Sequence, residues 1–310
     1  MTETLTPTPQ GIARAAKLLQ DGALVALPTE TVYGLGADAR NGEAVAGIYA
    51  AKGRPSFNPL IVHLPDIETA KRYVEWTDEA DRLAQAFWPG ALTLVLPLKP
   101  DSGLSSLVTA GLPSLAVRVP AHPTMRQVLQ ALDGPVAAPS ANPSGKISAT
   151  TAAHVLAGLD GKIAAVLDDG ACTVGLESTI LGLTGPRPAL LRAGGLPSEA
   201  IEAALGQTLE IVDGAEIIAP GQLASHYAPG AAVRLDAETA APGEVLLGFG
   251  TMICDLNLSP AGDLTEAAAN LFDHLHQLDA TGQSIAVAPI PNHGLGRAIN
   301  DRLARAAAPR

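Results

Sequence analysis

Short apolar runs alternate with alanine-rich amphipathic stretches along the first two-thirds of the chain, and this pattern predicts an α/β fold. The runs that end at Pro, Gly or polar turns predict the strands Ala23–Leu27, Leu60–Leu64, Thr93–Leu98, Ser114–Val119, Val136–Ala138, Ala164–Leu167, Ser178–Leu183 and Ala189–Arg192. Apolar residues at helical spacing predict the helices Gly11–Gln20, Glu43–Lys52, Glu68–Tyr73, Glu79–Phe87, Pro123–Ala131, Thr151–Leu159 and Leu196–Leu205. We expect these elements to build one large domain.

A smaller unit is predicted after an irregular stretch. Ala, Pro and Gly breakers interrupt the chain between about Glu210 and Gly230, as is typical of a linker. Beyond it the pattern predicts a β-α-β-α unit with Glu244–Gly248, Leu264–Leu278, Ser284–Pro289 and Leu295–Ala308. We therefore expect a large domain at 1–208, a linker at 209–230 and a smaller α/β, Rossmann-like domain at 231–310.

The composition supports two domains with aliphatic cores. The 310 residues are 47% hydrophobic but only 3% aromatic, so Ala, Val, Leu and Ile must fill the interior. Cys172 and Cys254 are too few for a disulfide framework and lack the spacing of a zinc site. No apolar run approaches the roughly 20 residues that span a bilayer, and the polar start lacks the features of a signal peptide. We expect a cytoplasmic protein.

The charge balance argues against general nucleic-acid binding. The formal net charge is −11, whereas affinity for nucleic acid depends mainly on Lys and Arg that neutralise phosphates. Cations are scarce in the apolar first half of the chain, so the positions of the few that occur there are informative.

The stretch from Pro28 to Gly36 places two hydroxyls, a carboxylate and a phenol directly after a buried strand. Strand ends are where ligands usually sit in α/β folds, although an ordinary turn is the alternative. The match of Gly34–Ala39 to GxGxxA is weak support for a dinucleotide site, because no helix starts directly after it. The P-loop motif is absent from the sequence.

Lys52 and Arg54 lie at a predicted helix end, before a loop framed by Pro55 and Pro59. Cations at a helix C-terminus often only complement the dipole, but two of them beside a stiff loop are also suited to grip a polyphosphate. His63 lies in the next apolar strand, where a single histidine is more often a hydrogen-bonded core residue than a ligand.

Strand alternation singles out Arg118. A period of two puts Ser114, Ala116 and Arg118 on one face of the predicted strand, and the apolar residues between them on the other. An arginine in so apolar a strand is unfavourable without an anionic partner. An internal salt bridge and a carboxylate clamp in a cleft are the two interpretations.

Three further strand ends run into polar segments. The loop from Ala138 to Ser148 has small polar residues and backbone N–H groups suited to a phosphate or ribose. The segments Glu177–Ile180 and Leu191–Gly195 each set a polar or cationic residue at the edge of an apolar strand. Together the segments predict an anion-binding cleft rimmed by arginines, a lysine, hydroxyls and one histidine, but they do not name a reaction.

Other polar residues are assigned to structure. His274 and His276 are two apart on a helix and do not face each other, which disfavours a metal pair. Asp168 and Asp169 are chemically able to meet Mg²⁺, but a solvated turn is the favoured interpretation. The segment Asn300–Arg302 is interpreted as surface or packing.

Five blocks of sequence resemble, in the same order, the YrdC/Sua5 family of threonylcarbamoyl-AMP synthases: PTETVYGLG, KGRP with NPLIVH, SLAVRVP, APSAN, and ESTI with LLRAGG. The resemblance covers about Gly11–Gly206, and its five co-linear blocks make it specific. The remainder of the chain, with HYAPG, resembles the C-terminal domain of the longer Sua5 type. The resemblance implies a twisted, open mixed α/β sheet of YrdC type with a large cationic cavity.

The implied enzyme is a nucleotidyltransferase. The resemblance implies that it condenses L-threonine, bicarbonate and ATP, with Mg²⁺, to threonylcarbamoyl-AMP and pyrophosphate. The product would pass to a separate transferase complex for N6-threonylcarbamoyl modification of tRNA adenosine. The metal ligands and any direct contact with tRNA stay open.

The resemblance also implies residue roles. Lys52 and Arg54 are the candidate catalytic residues. The threonine site would comprise Thr31, His63, Arg118, Ala138 and Ser178. The ATP site would comprise Lys52, Arg54, Asn58, Ser114, Ser140, Asn142, Ser148, Arg192 and Tyr227.

One segment departs from the family pattern. The family linker resembles SPGMKYRHYAP, whereas residues 219–229 read APGQLASHYAP and lack its two cations. His226 and Tyr227 remain, so a linker that closes over ATP is still expected. The alternatives to this enzyme are a module that binds double-stranded RNA or tRNA without catalysis, a carbamoyl-transfer enzyme of the hydrogenase-maturation type, and a non-catalytic ATP or amino-acid sensor.

Overall fold

The computed structural model describes residues 1–53, 58–211 and 226–309. Its strands are β1 Glu3–Leu5, β2 Val25–Leu27, β3 Gly34–Asp38, β4 Ile61–His63, β5 Leu92–Pro97, β6 Ser114–Arg118, β7 Val136–Ala137, β8 Ala165–Leu167, β9 Thr179–Gly182, β10 Ala189–Arg192, β11 Glu210–Ile211, β12 Val233–Arg234, β13 Glu244–Gly248, β14 Leu256–Asn257 and β15 Ser284–Val287. Its helices are α1 Pro9–Gln20, α2 Gly42–Lys52, α3 Ile67–Tyr73, α4 Asp78–Phe87, α5 Ser106–Thr109, α6 Pro123–Leu132, α7 Ala152–Leu159, α8 Ser198–Leu205, α9 Leu264–Asp279 and α10 Leu295–Ala307.

The described residues of the large unit form an eleven-stranded sheet in the order β1-β8-β2-β3-β7-β4-β6-β5-β9-β10-β11. The sheet is mixed, because β4 and β6 pair in parallel whereas β5 and β6 pair antiparallel. The predicted mixed α/β sheet is confirmed. Three strands were not predicted: β1 at the polar start, β11 in the stretch expected to be irregular, and β3, which follows the predicted polar turn and pairs antiparallel with β2.

Local signals explain how α2 brings Lys52 to its place. The Asn41 side chain caps the helix start by accepting hydrogen bonds from the N–H groups of Glu43 and Ala44. Gly53 ends the helix with φ 59°, a left-handed conformation that glycine adopts without steric penalty. Lys52 therefore lies in the last turn, as the sequence predicted.

One face of the central strands carries a small apolar cluster of its own. It contains Ile61, Val95, Ala116, Ile180 and Leu191, whereas the strand neighbours on the opposite face join the main core. The alternation predicted for β6 is therefore confirmed. Because side chains two apart share a face, this alternation carries two further side chains, His63 and Arg118, to the same side as the cluster.

The smaller unit is a four-stranded parallel sheet in the order β12-β15-β13-β14 with α9 and α10. The predicted β-α-β-α pattern is present, and β12 and β14 extend it. Its helices pack against the large unit, since Phe272 and Leu271 share a core with Val32 and Ile147. The predicted linker lies mostly outside the described residues, so the domain limits 1–208, 209–230 and 231–310 stay a prediction. Across the described ranges no helix is long and apolar enough to cross a bilayer.

Candidate active site

A cleft of about 570 Å³ opens where β4, β6 and β10 end. Residues from six separate segments of the large unit and from the first described residues after position 225 line it together. They are Thr29, Thr31, Val32, Gly34, Ile61, His63, Arg118, Ala138, Pro139, Ser140, Glu177, Ser178, Arg192, His226 and Tyr227. Eight of the residues predicted for the threonine and ATP sites are therefore neighbours around one cavity: Thr31, His63, Arg118, Ala138, Ser140, Ser178, Arg192 and Tyr227.

Arg118 lies in the cleft wall and is ion-paired as well. Its Nη2 donates to Glu30 Oε1 at 2.6 Å, its Nη1 to Thr31 Oγ1 at 2.9 Å, and its Nε to the Gly90 carbonyl at 3.0 Å. Burial by itself disfavours the Glu30 carboxylate, but the Arg118 charge, the Arg118 hydrogen bond and backbone hydrogen bonds together hold the pKa of Glu30 below its ordinary value. The internal salt bridge is therefore present, while the carboxylate clamp stays a prediction for an arginine that lines the cleft. Glu30 Oε2 has no partner among the described atoms.

His63 is a buried neutral imidazole beside that guanidinium. It is 3% exposed and is the direct register partner of Arg118 across β4 and β6. Burial, and then the Arg118 charge, lower the pKa of His63 to about 3. Its Nδ1 has no hydrogen-bond partner in the described residues, which leaves a polar ring atom that a bound molecule is able to meet.

The turn before β3 is held by Thr29. Its Oγ1 accepts from the backbone N–H groups of Thr31 and Val32 and donates to the Val32 carbonyl at 2.7 Å. Close packing fixes the next strand, since a Cβ on Gly34 would lie 3.1 Å from the Ala138 Cβ. The sequence predicted a polar turn at this strand end, but not that Thr29 would order it.

Lys52 holds the loop that carries Ser140 and Asn142. Its Nζ donates to the Ser140 carbonyl at 2.5 Å and also to the Asn142 carbonyl, and the Ser144 N–H donates back to the Lys52 carbonyl at 2.9 Å. Lys52 is only 5% exposed. The ammonium group therefore sits directly behind the cleft wall that Ser140 forms.

Arg192 and Ser178 form the opposite wall. Arg192 Nη2 donates to the Ser178 carbonyl at 2.7 Å and Nε donates to it at 3.2 Å, while the Ser178 hydroxyl pairs with Thr93 Oγ1 at 2.7 Å. Gly194 permits this arrangement, because a Cβ there would lie 2.3 Å from the Glu177 carbonyl oxygen. Burial lowers the pKa of Arg192 from its ordinary value, which still leaves a cation at neutral pH.

A buried ion pair joins the two units behind the cleft. Arg302 Nε of α10 donates to Glu177 Oε2 at 2.9 Å, and Ser148 Oγ donates to Glu177 Oε1 at 2.5 Å. The Arg302 guanidinium also lies 4.9 Å from the centre of the Tyr227 ring. The sequence left this segment as either surface or packing, and the structure shows that Arg302 packs in the interior, since it is 0% exposed. Sequence reasoning did not predict the ion pair of Arg302 with Glu177.

Five described residues of the predicted set do not line this cleft, and one of them is Lys52, which lies behind its wall. Asn142 and Ser148 lie buried next to it, and Asn58 is buried with its Oδ1 unpartnered in the described residues. Ser114, at the other end of β6, lines a second cleft of about 1140 Å³ together with residues of β5, β9 and β10. Arg54 lies outside the described residues. Within the described ranges, no three His, Cys, Asp or Glu side chains group as metal ligands do.

Two family models match the chain. The Sua5/YciO/YrdC model, described as telomere recombination, matches residues 17–194, and the model described as threonylcarbamoyl-AMP synthase, C-terminal domain, matches residues 196–308. The chain belongs to the Sua5 family of threonylcarbamoyl-AMP synthases. This confirms the resemblance found in the sequence, the longer two-part form and the enzyme class, a nucleotidyltransferase.

Individual Sua5 relatives are similar over nearly the whole chain. The threonylcarbamoyl-AMP synthase of Bacillus subtilis (strain 168) is 40% identical, with 99% of this chain and 96% of the relative covered. The threonylcarbamoyl-AMP synthase of Pyrococcus abyssi is also 40% identical, with 94% of this chain and 92% of the relative covered. A crystal structure of P. abyssi Sua5 complexed with L-threonine superposes with a TM-score of 0.90 at 38% identity, covering 99% of this chain and 97% of that one. The YrdC-type fold is thereby confirmed.

Proposed function

We propose that this chain condenses L-threonine, bicarbonate and ATP to threonylcarbamoyl-AMP and pyrophosphate. The observation that carries the proposal is the convergence of Arg118, Arg192, His63 and Ser178, which come from distant segments, around one cleft. Such a cleft offers bound anions cations and hydrogen-bond donors from opposite walls. Membership of the Sua5 family and the likeness to a threonine-bound relative support the same reaction.

Threonine would bind where β4 and β6 end. The Arg118 guanidinium, already ordered by Glu30 and Thr31, would pair with the carboxylate of the amino acid. Neutral His63 would meet a polar group of threonine through its buried Nδ1 without adding charge. Ala138 and Ser178 complete the proposed threonine site.

ATP would bind between the wall formed by the Ser140 loop and the opposite wall that carries Arg192. Lys52 holds this loop and brings an ammonium group behind it. Ser114 would extend the site over the apolar strand face between the two clefts. The full proposed ATP set is Lys52, Arg54, Asn58, Ser114, Ser140, Asn142, Ser148, Arg192 and Tyr227, with Lys52 and Arg54 as the catalytic candidates.

The chemistry needs positioning and charge more than a protein nucleophile. The threonine amine attacks the carbon of bicarbonate, and loss of water leaves a carbamate. A carbamate oxygen then attacks the α-phosphorus of ATP, the bond to the β-phosphate oxygen breaks, and pyrophosphate leaves. The cations of the cleft would stabilise the phosphoryl oxygens as they gain charge. The substrate phosphates would hold Mg²⁺ largely by themselves, and the ion would offset part of their negative charge.

His226 and Tyr227 line the cleft directly after the undescribed range. A chain segment that closes here would shield the labile adenylate from water. The two cations of the family linker are absent from residues 219–229, so we propose that phosphate contacts depend on Lys52, Arg54 and Arg192. The finished adenylate would pass, in the cytoplasm, to a separate transferase complex that modifies tRNA.

The proposal is tested by pyrophosphate release from ATP. We expect release to require both bicarbonate and L-threonine, and to fall strongly with other amino acids. Release that proceeds equally without an amino acid would identify a simple ATPase and contradict the proposal.

A further inference from the structure

Arg302 of the smaller unit lies behind the cleft without lining it. It is 0% exposed, whereas its partner Glu177 and its ring neighbour Tyr227 both contribute to the cleft wall. Any effect of Arg302 on bound molecules must therefore pass through these two side chains.

Glu177 is an unexpected group in a cleft that binds anions. Burial disfavours its carboxylate, but the charges of Arg302 and Arg192, together with hydrogen bonds from Ser148 and Arg302, keep the pKa of Glu177 below its ordinary value. The carboxylate is therefore ionised at neutral pH, and its negative charge lies close enough to Arg192 for the two charges to interact. Without Arg302, this charge would act against Arg192 and against any phosphate in the cleft.

We propose that Arg302 is a positioning residue for the nucleotide, supplied by the C-terminal unit, which neutralises Glu177 and thereby directs the Arg192 charge to the phosphates. The inference rests on the proposed function, because the property that it sets is ATP affinity. The hydrogen bond to Glu177 Oε2 and the second bond from Ser148 turn the carboxylate toward α10. Arg302 Nη1 is held in turn by Asp301 Oδ2 at 2.6 Å.

The contact with Tyr227 adds a second route. Tyr227 has φ 61°, a left-handed conformation that tyrosine rarely adopts. The Arg302 guanidinium over one ring face and Phe272, at 5.8 Å between ring centres, hold the side chain in place. Docking of α10 therefore fixes both the charge and the shape of this wall.

The test measures ATP and threonine binding to the full chain by calorimetry. Arg302→Met should lower the affinity for ATP by roughly tenfold or more, because one charge of a buried pair is left uncompensated. It should lower the affinity for threonine far less. The combined Glu177→Gln/Arg302→Met variant removes both charges and should return ATP affinity to within roughly threefold of the unsubstituted chain. Arg305→Met is the matched control, since Arg305 lies one turn on and pairs with the same Asp301; it should leave ATP affinity unchanged.

Each result decides the proposal. Unchanged ATP affinity in folded Arg302→Met, or a combined variant as weak as the single one, would overturn it. Should Arg302→Met fail to fold, the combined variant decides alone: ATP affinity within roughly threefold of the unsubstituted chain supports the proposal, and a larger loss contradicts it. Pyrophosphate release by the unsubstituted chain is measured separately, so a failure of the proposed function is distinguishable from a failure of this inference.

Discussion

His63 and Arg118 face the cleft side by side, as register partners of two parallel strands. Each is 3% exposed, and burial together with the neighbouring guanidinium holds the pKa of His63 at about 3. A charged imidazole next to Arg118 would repel it. The site therefore keeps one cation at this position and presents the histidine as a neutral hydrogen-bonding group.

Acidification should destabilise the fold through His63. Between pH 6.5 and about 3 the unfolded chain binds a proton on this ring and the folded chain does not, so stability falls as the pH falls. One such group contributes a slope of about 1.4 kcal/mol per pH unit. Urea unfolding across this range should show a shallower slope for His63→Asn. Exposed His293→Asn is the control, and an equal loss of slope in both variants would contradict the assignment.

Arg118→Ala should weaken threonine binding far more than ATP binding. The expected loss is about 1.5–3 kcal/mol of threonine binding, the usual contribution of a hydrogen bond to a charged group. Because the substitution leaves the Glu30 carboxylate buried alone, Glu30→Gln/Arg118→Gln is the variant that protects the fold. Calorimetry reports both affinities, with exposed Arg14→Ala as the control. Unchanged threonine affinity would remove Arg118 from the site.

Lys52→Ala should abolish threonine-dependent pyrophosphate release. The substitution removes a cation and frees the carbonyls of Ser140 and Asn142 that Nζ holds, so we expect a loss of roughly a hundredfold or more. We expect Arg54→Ala to act in the same direction. Lys162→Ala, on the surface, is the control. Undiminished release in the first two variants would exclude both residues from the chemistry.

Gly194→Ala should disturb both binding sites from behind. The added Cβ would lie 2.3 Å from the Glu177 carbonyl oxygen and 2.5 Å from Ser178 C, so the segment with Ser178 must shift. We expect about 1–3 kcal/mol lower stability and weaker binding of both substrates. Gly47→Ala, which meets only side-chain atoms at 3.6 Å or more, should be neutral or stabilising by up to about 1 kcal/mol. Thermal unfolding that ranks the two variants alike would count against this packing argument.

The sequence predicted the cleft wherever a local pattern carried the information. Strand alternation placed Arg118 on the face opposite the apolar residues of its strand, and the predicted helix end placed Lys52 beside the loop that follows. The sequence allowed a salt bridge at Arg118 but did not identify its partner, Glu30, and it did not predict the pair of Arg302 with Glu177, because both pairs join residues far apart in the chain. Nothing in a local pattern distinguishes an arginine that will be buried by another unit from one on a helix surface.

Strand β3 shows the same limit for the fold. Its glycines have low strand propensity and resemble a turn, yet Gly36 suits the close packing there, because a Cβ would lie 3.1 Å from Leu27 Cδ1 and from the Val25 carbonyl oxygen and its neighbours would have to shift. Only the pairing with β2 and β7 makes this segment a strand. Tertiary contact, not local preference, decides its structure.

The central claim is that one cleft holds a nucleotide beside an amino acid and joins them through a carbon from bicarbonate. Mass spectrometry of the products formed from ATP, L-threonine and isotope-labelled bicarbonate tests it most directly. We predict an adenylate that contains threonine and carries the label in its carbamoyl carbon. An unlabelled threonyl adenylate, or AMP without any threonine adduct, would contradict the account.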